Sequence, residues 1–91
     1  MFKNGLSYKE RIHRYVIQQI KKVLNENAVC GGNLIDYTSY AKKVLGEALK
    51  YGVEFLPHLL WVYEKIWVKK YNVNPKILKE VEKIIISTLS S

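Results

Sequence analysis

The sequence predicts an all-α domain, a compact bundle of four helices. Apolar residues recur at spacings of three and four along four segments, and short breaks rich in glycine, asparagine and proline separate them. No segment alternates apolar and polar residues between turn signals, so we expect no strands. The length of 91 residues fits a single domain, 1–91, with helices predicted over residues 8–25, 34–51, 56–71 and 75–89.

The first helix is predicted to begin at a capping box, in which Ser7 and Glu10 each satisfy a free backbone N–H group. Its predicted apolar face contains Ile12, Tyr15, Val16, Ile20 and Val23. Gly31 and Gly32 then interrupt the helical pattern, and Asn33 is predicted to cap the second helix.

The second and third helices lie on either side of Gly52, which is expected to adopt the left-handed conformation common just after a helix. The predicted buried face of the second helix contains Tyr37, Ala41, Val44, Leu45, Ala48 and Tyr51. The predicted buried face of the third helix contains Leu56, Leu59, Leu60, Tyr63, Ile66 and Trp67. Trp61 and Val68 form a second apolar stripe on the third helix, which either its own neighbours or a partner chain would cover.

The start of the fourth helix is predicted at Asn74 and Pro75, because asparagine caps helices well and proline suits the first turn. The side chains expected to face the core are Ile77, Leu78, Val81, Ile84, Ile85 and Leu89.

The segment that joins the third and fourth helices resembles a DNA-binding helix-turn-helix motif. In this interpretation Val68 is buried, Tyr71 is the last apolar anchor of the first helix, and Asn72 occupies the turn. The side chains facing DNA would include Lys76, Lys79 and Lys83. The alternative is that the segment is an ordinary capped helix in a small bundle.

The chain is strongly basic, with 15 Lys and Arg against 8 Asp and Glu and a net charge of +7. Such a surface favours polyanions or acidic proteins as partners. The single cysteine, Cys30, permits no internal disulfide, which is compatible with a reducing compartment. Because no signal peptide or transmembrane segment is apparent, we expect a cytoplasmic protein.

Residues suited to catalysis are not grouped in the sequence, so we expect no enzyme, no cofactor and no metal site. His13 and His58 lie on different helices, with no carboxylate or cysteine at ligand spacing. Cys30 has no identifiable base beside it. The acidic residues are scattered, and Glu80 and Glu82 point to different sides of their helix, so no paired-carboxylate site is predicted.

Four cations lie opposite the apolar face of the first helix: Arg11, Arg14, Lys21 and Lys22. A stripe of this kind is typical of proteins that bind a phosphate backbone, although solvated outer faces also carry such stripes.

Two functional hypotheses follow from these patterns. The first is a nucleic-acid-binding protein that contacts duplex DNA phosphates through the first helix and, if it docks, the fourth, with little base specificity. The second is a structural or interaction module, in which Trp61 and Val68 form a dimer or partner interface and the positive charge is incidental. The expected partner is nucleic acid or, alternatively, an acidic protein, and we expect a homo-oligomer.

Overall fold

A computed structural model describes residues 8–27 and 34–90, and this part of the chain is built from helices without a strand. The elements are α1 (Tyr8–Asn27), α2 (Leu34–Tyr51), a 3-10 turn (Val53–Phe55), α3 (Leu56–Lys70) and α4 (Pro75–Ser90). The predicted all-α fold with four helices is therefore confirmed. Relative to the prediction, α1 ends two residues later, α3 one residue earlier and α4 one residue later.

Helices α2 and α4 each pack against the other three helices, and α2 has the larger contact with α1 and α3. The core is formed by apolar side chains from all four helices, and its fully buried members include Val16, Ile20, Tyr40, Leu45 and Val81. Of these residues, Val16, Ile20, Leu45 and Val81 belong to the predicted apolar faces, whereas Tyr40 was not predicted to be in the core.

Two tyrosines predicted to be buried are instead exposed. Tyr15 is 51% exposed, because it lies about 60° around α1 from Ile12, on the flank opposite to Val16 and Ile20. Tyr51 is 59% exposed, because it is the last residue of α2 and stands beyond the packed part of the helix.

The chain turns from α2 into α3 at Gly52, whose φ of 132° is positive, as the sequence predicts. Its ψ of 137° places it in the extended positive-φ region rather than in the left-handed helical one. The Gly52 N–H group donates to the Ala48 carbonyl oxygen at 2.9 Å, and a Cβ at position 52 would lie 2.5 Å from Glu54 Oε1. Only glycine suits this position.

Hydrogen bonds hold both ends of the segment between α3 and α4 against the start of α2. The Trp67 indole Nε1 donates to the Asp36 carbonyl oxygen at 3.0 Å and to Ser39 Oγ at 3.2 Å. The Asn74 N–H group donates to the Tyr37 hydroxyl at 2.8 Å. Asn74 Oδ1 in turn accepts the Lys76 N–H group at 2.9 Å, which confirms the predicted cap of α4.

Several predicted features lie outside the described residues. They are the capping box, which requires Ser7, the break at Gly31 and Gly32, the Asn33 cap, and Cys30.

Candidate nucleic-acid interface and a buried carboxyl pair

The outer face of α1 carries the four cations predicted from the sequence, and all four are exposed: Arg11, Arg14, Lys21 and Lys22. Arg11 and Lys22 are eleven residues apart, about three turns, and so lie on one line along the helix. Arg14 and Lys21, about two turns apart, lie on a neighbouring line. Together the four side chains cover roughly 100° of the helix surface, directly opposite the buried Val16 and Ile20, and we call this surface the α1 basic face.

The α1 basic face keeps its charge, because none of its four cations forms an ion pair with another described residue. Helix α1 contains five Lys and Arg residues against two glutamates, Glu10 and Glu26. His13 adds no charge near neutral pH, since burial and the nearby Lys9 and Lys42 lower its pKa below 6.5. The face is therefore a net positive surface open to a polyanion.

The three α4 lysines differ from one another in their surroundings. Lys79 Nζ lies 2.9 Å from Glu64 Oε1 and 3.7 Å from Glu82 Oε1, so this lysine faces α3. Lys83 Nζ lies 3.2 Å from Glu80 Oε2. Lys76 is exposed and forms no ion pair within the described part of the chain. Two of the three lysines are thus partly neutralised, although exposed ion pairs of this kind are weak and contribute about 0–1 kcal/mol each.

Lys83 also borders α1. It lines a groove between α1 and α4 together with Tyr15 and Gln19, and Tyr15 follows Arg11 by one helical turn. Lys83 therefore lies beside the α1 basic face, whereas Lys79 is drawn towards α3.

The segment with helix-turn-helix resemblance agrees with the motif only in part. Trp67 is buried as the motif requires, but Val68 is 40% exposed and Tyr71 is 42% exposed, so the positions that the motif assigns to these two residues are not found. The Trp67 indole, bonded to α2, fixes which side of α3 faces the core, and Val68 is rotated about 100° away from it. In the turn, Tyr71 is extended (φ −122°, ψ 158°) and its carbonyl oxygen accepts the Val73 N–H group at 3.0 Å around Asn72.

The second apolar stripe of α3, formed by Trp61 and Val68, is exposed to solvent. Trp61 is 56% exposed, and Val68 is exposed as well, so the described helices of the same chain do not cover this stripe. The Trp61 ring is flanked by polar groups, with Lys65 Nζ 3.8 Å from its centroid and the His58 ring centroid at 6.2 Å.

A pair of glutamates from different helices, which the sequence did not predict, lies between α3 and α4. The carboxyl groups of Glu64 and Glu82 both approach Lys79 Nζ, at 2.9 and 3.7 Å, and Glu82 is only 9% exposed. The Tyr40 hydroxyl lies 3.4 Å from Glu82 Oε2, and Lys79 Nζ lies 3.7 Å from the other carboxyl oxygen of Glu82, Oε1. The expectation of no paired carboxylates is therefore wrong.

Burial, together with the hydrogen bond and negative charge of Glu64, raises the pKa of Glu82 from 4.5 to about 7. The same hydrogen bond, assisted by Lys79, lowers the pKa of Glu64 below its usual value of 4.5. Below a pH of about 7 the pair therefore holds a proton on Glu82 and a negative charge on Glu64. Burial and the two carboxyl groups also raise the pKa of Tyr40, so its hydroxyl remains neutral.

The other residues considered for chemistry are not brought together. His13 lies beside Arg14 and Lys21 on α1, His58 lies against Trp61 on α3, and Cys30 is outside the described residues. Over residues 8–27 and 34–90, no group of three or more His, Cys, Asp and Glu side chains is placed to hold a metal ion. Within the same ranges, no helix is both long and apolar enough to cross a membrane.

Comparison with protein-family models, with curated proteins and with solved structures returns no match. The functional argument therefore rests on the fold and on its exposed surfaces.

Proposed function

We propose that this small basic helical protein binds nucleic acid, and that the α1 basic face contacts the phosphate backbone of duplex DNA. The observation that carries the proposal is that the four cations Arg11, Arg14, Lys21 and Lys22 share one exposed face without ion pairs to described residues. A free cation neutralises a phosphate without first giving up a carboxylate partner, so its contribution to binding is not offset.

The length of the face suits a duplex. From Arg11 to Lys22 the helix rises about 16 Å, whereas phosphates along one DNA strand are about 3.4 Å apart. One helix lying along the backbone or across a groove therefore brings four cations within reach of separate phosphates. We expect little base specificity, since the chain contains only two arginines and lysine acts as a point charge.

Helix α4 extends this surface on one side. Lys83 stands across the groove from Tyr15 and would add a phosphate contact, and Lys76 would add another if α4 also docks on the duplex. Lys79 is the weakest candidate, because Glu64 already holds it at 2.9 Å. In a major-groove position, as in a helix-turn-helix protein, α4 would turn Lys76, Lys79 and Lys83 towards DNA.

The salt dependence of binding to a fluorescent 20-base-pair duplex of arbitrary sequence tests the proposal. Release of counterions from four phosphates predicts a slope of about −4 in a plot of log affinity against log salt, or about a 10²-fold loss between roughly 50 and 200 mM. The Arg11→Ala/Arg14→Ala variant should lower that slope by about 2. The matched control, Lys65→Ala/Lys69→Ala on α3, removes the same charge and should leave the slope unchanged.

Three results would contradict the proposal: no binding at about 50 mM salt, binding insensitive to salt, or equal losses in the α1 variant and its control. The Lys76→Ala/Lys83→Ala variant separates the two docking geometries. A further fall of the slope by about 2 supports participation of α4, and no change leaves α1 as the binding helix.

The second functional candidate is an interaction module that uses α3. It is favoured by the exposure of Trp61, because a large aromatic side chain left uncovered by its own helices is typical of partner interfaces.

A further inference from the structure

The exposed side of α3 combines apolar and basic side chains. Its exposed members are Pro57, His58, Trp61, Lys65, Val68 and Lys69. Every charged member of this set is a lysine, since the acidic residue of α3, Glu64, is turned towards Lys79 and Glu82. We call this surface the α3 face.

Trp61, Lys65 and Val68 form the centre of the α3 face, because they follow one another by four and three residues and so lie on one side of the helix. Lys65 is held over the Trp61 ring at 3.8 Å, which places a cation directly above an exposed indole. An incoming carboxylate can therefore meet Lys65 while an apolar group covers Trp61.

Beside this centre, a groove of about 360 Å³ separates α3 from the start of α4. Val68 and Pro75 provide its apolar walls, and Lys65 and Lys69 border it. Glu64 also lines the groove, but Lys79 neutralises its carboxylate at 2.9 Å. The groove thus accepts an apolar side chain and keeps two lysines at its rim for acidic groups.

We propose that the α3 face binds an acidic amphipathic helix of a partner protein. Carboxylates of that helix pair with Lys65 and Lys69, and an apolar side chain fills the groove beside Val68. A row of apolar anchors on one helix laid into a groove of another is a recurring mode of peptide recognition, and charge complementarity selects the acidic partner.

Other occupants fit this face less well. A second copy of the chain, related by a two-fold axis, would bring the same lysines against each other. A membrane surface calls for a wide apolar face, whereas here lysines interrupt the apolar residues at every turn. A nucleic acid would leave the groove beside Val68 unfilled and gains more from the arginines of α1.

The test uses the whole chain and a fluorescein-labelled peptide of about two helical heptads, with leucines along one side and glutamates along the other. Fluorescence anisotropy should show saturable binding, and Trp61 emission should change, because Trp61 is much more exposed than Trp67. Trp61→Ala and Lys65→Glu/Lys69→Glu should each weaken binding about tenfold or more. The Arg11→Glu/Arg14→Glu variant, with an equal change of charge, should leave peptide affinity within about twofold. Circular dichroism checks that each variant retains its helices.

Four results would overturn the proposal. Two concern the peptide: no binding up to about 1 mM, or equal binding of a peptide whose leucines are scrambled. The other two are a dimer of the free chain that Trp61→Ala dissociates, and tighter binding to vesicles rich in anionic lipid than to the peptide. A failure of duplex binding would leave this proposal standing, because the two surfaces use different residues on different helices.

Discussion

Replacement of Glu82 by glutamine should make the protein more stable above neutral pH. Glu82 is buried against Glu64, and burial together with that neighbour raises its pKa to about 7. The folded chain therefore keeps a proton on Glu82 over a pH range in which the unfolded chain has already released it. Since the folded state binds more protons, its stability falls as the pH rises from about 4.5 through about 7.

The size of this effect follows from the pKa of Glu82. The rise from 4.5 to about 7 corresponds to at most about 3.5 kcal/mol, because one pKa unit is worth about 1.4 kcal/mol. Lys79 stands at the exposed edge of the pair and screens part of the repulsion, so we expect about 1–2 kcal/mol. The Glu82→Gln side chain has nearly the same shape, can still donate to Glu64, and never ionises.

Urea denaturation at about pH 4, below the pKa of the unfolded chain, and at about pH 8 measures the prediction. The wild-type chain and Glu82→Gln should be equally stable at the lower pH, and the variant should gain about 1–2 kcal/mol at the higher pH. In thermal denaturation this gain raises the Tm by about 4–8 °C per kcal/mol for a domain of this size.

The comparison of the two chains at each pH also removes the effect of His13. Burial and the neighbouring Lys9 and Lys42 lower the pKa of His13, so its contribution to stability is present above 6.5 and is lost as the pH falls below that value. This loss is common to both chains and cancels in the difference.

Glu80→Gln is the matched control, because Glu80 lies on the same helix but pairs with Lys83 at the surface. Its stability should follow that of the wild-type chain within about 0.5 kcal/mol at both pH values. The reasoning is refuted if Glu82→Gln and the wild-type chain show parallel pH profiles, or if the variant is the less stable of the two at pH 8.

Two further predictions concern the fastening of α4 to α2. Asn74→Ala should destabilise the protein by about 1 kcal/mol, because it removes the cap on the Lys76 N–H group, whereas Asn74→Asp should retain most of the stability. Tyr37→Phe should cost about 1–2 kcal/mol, because the Asn74 N–H group loses its acceptor, and Tyr15→Phe at an exposed tyrosine should change the free energy of unfolding little. Urea denaturation at pH 7 measures both, and a neutral result for Tyr37→Phe would mean that water replaces the lost bond.

The positions of the helices and most of the core could be predicted because they depend on local chemistry. Pro75 after Asn74 defines the start of α4, and the periodic spacing of Leu78, Val81 and Ile85 defines its buried side. These features need no knowledge of the neighbouring helices, which is why the structure reproduces them.

Residues at the edge of an apolar face could not be placed in the same way. Tyr15 and Val68 are each within about 100° of a buried neighbour in the helix, so periodicity alone allows them to be covered. Whether they are covered depends on which side the next helix occupies, and this is decided by tertiary contacts such as the bond from the Trp67 indole to α2.

The Glu64–Glu82 pair shows the same limit, although a signal was present. Glu82 lies four residues after Leu78 and three before Ile85, which is the spacing of a core position. That spacing could have predicted a buried carboxyl group, but not its partner, because Glu64 belongs to another helix and is distant in sequence. Periodicity describes one helix at a time, and the pairing of faces requires the fold.

The distribution of free charge, rather than its total, distinguishes the surfaces of this protein. From the sequence, the cations of α1 are the stronger candidates for phosphate binding, because α1 contains both arginines, and the lysines of α4 contribute if that helix docks. In the structure Glu64 partly neutralises Lys79, whereas Arg11 and Arg14 have no ion-pair partner among the described residues. A cation that must leave a carboxylate before it binds a phosphate contributes less to the binding free energy than a free cation does. The free cations of α1 should therefore dominate polyanion binding, even though α4 carries the sequence resemblance to a DNA-binding motif.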